Sequence, residues 1–184
     1  MRKRIFAVIL LCAACVFSLA GCGYSRHKVK DKNALETEAF LDKPDSMVVI
    51  CGGSEKTVSR EDLDKVQDAF WDLMGCYEGY AIPLKGYNSN RARNKFVNDC
   101  KDKYTCVEYR YNRRRKFTGL LQSARYDCEY FTGRQFDAML LVCEENAVVA
   151  LPYLNGKYAF TSPCYLYFSG GALSEFTALL ETYI

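Results

Sequence analysis

Histidine is almost missing from this chain. The single one among 184 residues is His27, which lies in a polar stretch ahead of the first strand-like segment. From residue 47 onward there is none, which removes the imidazole of Ser-His-Asp and Cys-His nucleophile systems and the usual ligand of a catalytic zinc. Neither G-x-x-x-x-G-K-[ST] nor G-x-G-x-x-G occurs, so the common phosphate-cradling loops are missing too. Gly52-Gly53-Ser54 after an apolar run reads as a plain turn. EF-hand spacing is also missing. The longest apolar run, Ile5 to Leu19, falls short of the about 20 residues a bilayer-spanning helix needs. No repeat or low-complexity segment is present. These absences lead us to expect no catalytic residue, no metal site and no cofactor.

The N-terminus is what stands out. Arg2, Lys3 and Arg4 precede the uncharged run Ile5 to Leu19, and small residues follow. A basic start, a short apolar core and a small-residue cut describe a secretory signal, with the positive end left in the cytoplasm and the rest exported. Leu19-Ala20-Gly21-Cys22 resembles the lipobox of bacterial lipoproteins at all four positions. The resemblance implies a diacylglyceryl group with palmitate-type chains on the Cys22 sulfur and cleavage before Cys22. Each buried CH₂ contributes about 0.8 kcal/mol, and two acyl chains anchor stably where one is marginal. The expected location is the extracytoplasmic face of the cell membrane. Residues 1–21 are then signal peptide, 22–46 lipidated cysteine and tether, and 47–184 a single domain. The tether, as flexible coil, would hold its ends about 25–30 Å apart; a short helix around Ala34–Leu41 is compatible with that role.

Net charge vanishes with the signal. The chain carries 25 cations and 22 carboxylates, and the excess of three is Arg2, Lys3 and Arg4. The overall basicity therefore says nothing about nucleic acid, which is not an expected partner. Of ten cysteines, Cys12 and Cys15 form a C-x-x-C inside the discarded segment and Cys22 is the anchor. Seven remain, and an odd number cannot all pair. Export permits disulfides. Cys51 and Cys143 sit in apolar runs typical of buried free thiols, while Cys100 with Cys106 is the closest pair and the expected disulfide. A reducing habitat would leave all seven free.

Periodicity predicts an α+β fold: a mainly antiparallel sheet with one N-terminal amphipathic helix and one C-terminal helix. Met47 to Cys51 is a continuous apolar run stopped by Gly52-Gly53, a buried-strand pattern. Ser59 and Asp62 have capping-box spacing, with Val58 and Leu63 at the staple positions. Leu63, Val66, Phe70, Leu73 and Met74 then share one face of a helix over 60–74, which Gly75 stops. Strand patterns follow over 104–111, 117–122, 125–131, 137–143, 147–153, 157–161 and 165–168. Glu144-Glu145-Asn146 and Asn155-Gly156 are turn signals. Ala172 to Tyr183 reads as a closing helix with Leu173, Phe176, Leu179 and Leu180 inward. The segment Leu151-Pro152-Tyr153-Leu154-Asn155-Gly156-Lys157-Tyr158 resembles the C-terminal hairpin signature of small uncharacterised secreted lipoproteins of Gram-positive bacteria. That resemblance implies a Gram-positive source and no particular activity.

Charge patterning supplies the candidate contact surface. Residues 91–116 hold ten cations against three carboxylates, with tyrosines interleaved. Arginine forks bind phosphate and carboxylate and tyrosines present flat surfaces. The candidate binding residues are Arg110, Arg113, Arg114, Arg115, Lys116, Tyr109 and Tyr111. The partners that fit are an anionic envelope polymer (teichoic acid, lipid headgroups, acidic glycan) or another protein, beside the membrane itself. The competing reading is a solvated hairpin tip at Asn112 to Lys116 that guards a sheet edge. Asp64, Asp68 and Asp72 repel at i,i+4 spacing, and the basic segment is the nearest candidate to offset them. Asp127 with Glu129, and Glu108 with Arg110, read as strand-face pairs. Trp71 reads as core rim. The function expected is a lipid-anchored binding or interaction module. A carboxylate-based envelope hydrolase and a structural accessory subunit of a membrane complex are the alternatives.

Overall fold

A computed structural model of the chain describes residues 24–28, 41, 43–83, 87–116, 135–158 and 163–184. The lipobox, the strand patterns over 117–122 and 125–131, Asp127, Glu129 and Cys128 lie outside the described residues. So does the short helix expected from Ala34, save its last residue, Leu41.

The Met47–Cys51 run becomes β2 (Ser46–Cys51), and Gly52 and Gly53, both at positive φ (55° and 78°), turn it back into β3 (Ser54–Thr57). Two such residues are what a tight hairpin between right-twisted strands needs, so Gly52-Gly53 is a turn and not a phosphate loop. Helix α1 (Leu63–Gly75) buries Leu63, Val66, Gln67, Phe70, Leu73 and Met74. Ser59 acts ahead of it: its Oγ accepts from the Asp62 N–H (3.2 Å) and donates to the Asp62 carboxylate (2.6 Å). The expected capping box does not cap the helix: Ser59 and Asp62 bond around the turn 60–62, and Asp62, the residue that flanks the helix, makes no side-chain cap bond. Strand β4 (Tyr77–Pro83) follows, then helix α2 (Asn90–Lys103), with the Ser89 hydroxyl accepting from Ala92 N–H at 3.1 Å. Next come β5 (Thr105–Lys116), β6 (Gln135–Cys143), β7 (Ala147–Leu154), β8 (Lys157–Tyr158), β9 (Cys164–Phe168) and α3 (Ala172–Glu181).

The fold is α+β with a sheet whose described pairings are all antiparallel. With β1 (Tyr24–Lys28) at one edge, the order is β1-β4-β9-β7-β6-β5-β2-β3, and β8 pairs with the far end of β7. Three helices are present among the described residues where the periodicity predicts two; α2 and the strands β3 and β4 were not expected.

Two boundaries move. Residues 24–28, expected as tether, pair with β4, and Leu41 is fully buried with its carbonyl accepting from Gln67 Nε2 at 3.2 Å. The ordered unit therefore begins ahead of Met47. The Asn112–Lys116 stretch is not a hairpin tip. It continues β5, with Asn112 N–H donating to the Asp45 carboxylate at 2.7 Å and Lys116 in register with Gln135.

The central strands β6 and β7 are buried along nearly their whole length because helices cover both faces of the sheet. Such strands read as unbroken apolar runs. On one face lie α1 and α3, joined through Phe70 and Phe176 at 5.9 Å between ring centroids. On the other lies α2. Alternation along β5 separates the two environments. Thr105, Val107 and Tyr109 face α1 and α3: Thr105 donates to Glu181 at 2.8 Å, and Tyr109 lies 5.7 Å from Phe70. Cys106, Glu108 and Arg110 face α2.

The cysteines are free thiols at all six described positions, Cys51, Cys76, Cys100, Cys106, Cys143 and Cys164. The disulfide expected between Cys100 and Cys106 is not formed. Cys106 instead donates its S–H to the carbonyls of Tyr104 (3.4 Å) and Cys100 (3.9 Å). Burial pushes the Cys100 and Cys143 thiols up to about 12, and Cys106 higher still.

Candidate functional site

Register assembles the site. Opposed residues share a face of a sheet, so five strands place Ser46, Arg110, Ala138, Tyr153 and Tyr158 in one row on the α2 face. Asn155 (φ 52°) and Gly156 (φ 77°) make the tight turn that folds Tyr158 back beside Tyr153. The two rings meet edge to face at 5.1 Å. Above the row, Asn94, Val97, Asn98 and Lys101 recur at helical spacing and line the same face of α2. Between helix and sheet is an open cleft of about 700 Å³, which Glu55 of β3, Asp137 and Gly156-Lys157 also line.

Side-chain bonds hold the roof in place. Arg93 donates from Nε to the Tyr87 carbonyl (2.9 Å) and from Nη1 to the Tyr158 carbonyl (3.4 Å), tying the first turn of α2 to β8. Tyr87 stacks on Phe96 at 4.8 Å. At the other end Lys101 lies between Glu55 (3.5 Å) and Glu108 (4.0 Å).

The cleft charges are matched. Lys101, Arg110 and Lys157 face Glu55, Glu108 and Asp137. Each carboxylate is engaged: Glu55 by Lys101, Glu108 by Arg110 Nε at 2.5 Å and by Lys101, Asp137 by Arg114 (3.6 Å) and by the Asn155 N–H (2.9 Å). Glu108 is the most enclosed, with 14% of its side chain exposed. Burial raises the Tyr158 hydroxyl well above its ordinary value, and the Glu108 charge adds to it, so Tyr158 is a neutral donor and acceptor at any physiological pH.

The sequence-derived surface is broken up by this geometry. Tyr109 is fully buried and Tyr111 nearly so, edge to face with Phe136 at 5.6 Å. Neither can form a contact surface, because the period of the strand turns Tyr109 into the dry side while Arg110 goes to the cleft. Arg113 is exposed. Arg114 is drawn to Asp137 and to the Asn155 side chain (2.7 Å), and the Arg115 guanidinium sits 5.5 Å from the Tyr111 ring centre. Lys116 closes β5. Of the six candidates whose side chains are described, only Arg110 enters the cleft. Nor does the basic segment offset the acidic helix: Asp64 pairs with Lys43, and Asp68 and Asp72 form no ion pair among the described residues. Trp71 is half-buried against the core, as a rim residue would be.

The residues missed were Asn94, Asn98, Glu55, Asp137, Tyr153 and Tyr158. For Asn94 and Asn98 a signal was present in the Ser89 cap with Phe96, Val97 and Cys100 on one helical face, which the charge count overshadowed; the other four are placed by strand pairing. No group of three or more His, Cys, Asp or Glu among the described residues could hold a metal ion. Among them, no helix is long and apolar enough to cross a membrane. Compared with known proteins, the chain matches no family model, no curated protein and no solved structure.

Proposed function

We propose that the chain is a lipid-anchored, extracytoplasmic binding domain, and that its ligand occupies the cleft between α2 and the sheet. The observation that carries the reading is that cleft: open to solvent, charge-matched, and lined by amides of α2 above a row that holds one arginine fork and two tyrosines. Ligand sites combine a concave wall with a few placed polar groups. All three carboxylates of the cleft are engaged by cations or a backbone N–H, which favours holding a ligand over acid–base work on one.

The anchor is argued from Leu19-Ala20-Gly21-Cys22 behind an apolar signal. Cys22 stands two residues ahead of β1, and two residues span at most about 7 Å. A lipid on Cys22 would therefore sit beside the β1 edge of the sheet, with the cleft, on β5 to β8, well away from it in the strand order.

Two measurements test this. Cys22→Ser should release the protein from membranes or block its processing; a cleaved protein still held on the membrane refutes the anchor. Asn98→Trp, an exposed change on the cleft roof, should abolish retention of the full chain on purified cell-wall sacculi without lowering its melting temperature. Unchanged retention refutes the cleft.

A further inference from the structure

We propose that the row Arg110–Ala138–Tyr153 recognises a single acid-bearing sugar residue of an envelope glycan, the acid on the Arg110 fork and the sugar body over Ala138 against the Tyr153 ring. This rests on the binding role of the cleft and names the chemistry of its ligand.

The row supplies three functions side by side. Glu108 holds the Nε of Arg110 at 2.5 Å, and the Arg110 side chain is 48% exposed. Among the described residues no other side chain engages that guanidinium, which leaves its terminal nitrogens as donors for a ligand. A planar fork with two parallel donors matches a carboxylate or a phosphodiester. Next in register is Ala138, whose methyl is smaller than either neighbour in the row and lines the cleft. Beyond it stands Tyr153, its ring braced edge to face by Tyr158. Adjacent strands are about 4.8 Å apart, which puts the backbones of Arg110 and Tyr153 about 10 Å apart across Ala138. Asn94 and Asn98 overhang from α2 with donors and acceptors suited to hydroxyl groups.

Charge and backbone pairing select among ligands. Three cations and three carboxylates line the cleft, so it accepts one acid per repeat and not a dense polyanion. The three strands that carry this row, β5, β6 and β7, are paired on both sides, so an extended peptide could not add to them. Apolar lining is confined to Val97, Ala138 and the tyrosine rings, too little to seat large apolar side chains.

The test uses the full chain in non-ionic detergent and calorimetric titration with three probes: an oligosaccharide with one uronate per disaccharide repeat, a teichoic polymer of sugar–phosphate repeats and a neutral galactose oligomer. At least one acidic probe should bind about tenfold or more tighter than the neutral one. Arg110→Lys keeps the charge and removes the fork. It should erase that preference, a loss of about tenfold for the acidic probe, and leave the neutral probe unchanged. Tyr153→Ala should weaken both. Lys65→Gln on the opposite face is the control and should change nothing. Whichever acidic probe shows the Arg110 dependence identifies the source, carboxylate or phosphodiester. Equal binding of acidic and neutral probes, or full acidic affinity in Arg110→Lys, overturns the proposal. If that residual binding is still lost in Asn98→Trp, the cleft stands and only the row fails. A chain that binds no saccharide, or only an acidic peptide, also overturns it.

Discussion

The two faces of the sheet are built from the same strands and could hardly differ more. Beneath α1 and α3 the surface is dry: Met47, Val49, Val107, Tyr109, Met139 and Leu141 are fully buried, and Phe70 links Tyr109 to Phe176. Beneath α2 the buried layer of Val48, Ile50, Cys106, Leu140 and Leu151 is interrupted by Glu108, which shares a row with Val48, Leu140 and Leu151. The next row gives way to Arg110, Tyr153 and Tyr158. One face is closed by two helices rich in apolar residues. The other carries a helix with only Val97 and Cys100 buried, held on by ion pairs and two carbonyl contacts. A helix that covers a face incompletely leaves a cleft, and polar residues on the strands below keep that cleft wet.

The contrast is broken or sharpened most strongly by core truncation. Phe70→Ala should cost about 3–5 kcal/mol in denaturant unfolding, because it leaves a cavity between Tyr109 and Phe176. Arg110→Gln, on the other face of β5, should cost about 1–2 kcal/mol, because it leaves the enclosed Glu108 with Lys101 alone. Comparable losses would mean that both faces carry the fold equally. A middle-sized effect is expected at the roof. Lys101 lies between Glu55 and Glu108 with 23% of its side chain exposed. Lys101→Ala should lower the opening free energy of α2 by about 1–2 kcal/mol in hydrogen exchange. The amides of α1 and α3 should be unaffected; an equal fall in all three helices would show that α2 is no separate layer.

The smallest effect concerns the rim of the dry face. Burial holds the half-buried Glu144 carboxyl above its ordinary 4.5, with Lys103 opposing the shift. The folded state then binds that proton more tightly than the unfolded chain. The resulting stability is greatest below the ordinary value and is lost as pH rises through the raised one. Glu144→Gln removes this dependence, so its melting temperature should gain on the parent between about pH 4 and about pH 7. A gap that narrows over that range would reverse the assigned sign.

Much of the frame was legible in the residues. The β2 run, the apolar stripe of α1, the Asn155-Gly156 turn and the closing helix with Leu173, Phe176 and Leu180 inward all follow from spacing and turn chemistry. Helix α2 was hidden, because its buried positions are so few that charge dominates its appearance. The site was legible only at Arg110. A linear count of cations and tyrosines cannot tell that neighbours on a strand face opposite ways, nor that Tyr153 and Tyr158 come to lie beside Arg110 through Ala138.

By itself, the sequence determined an α+β chain whose residues 22–184 carry no net formal charge, a lipobox-like stretch ending at Cys22, and no histidine beyond residue 27. Those are properties of composition and local order. Tertiary structure alone decided which arginine faces a cleft and which tyrosines are core. It also kept Cys100 and Cys106 as thiols bonded to carbonyls and left Asp68 and Asp72 without an ion pair among the described residues. The reason is register. Hydrogen bonding between strands far apart in sequence sets side chains shoulder to shoulder, and no pattern along one strand contains that pairing.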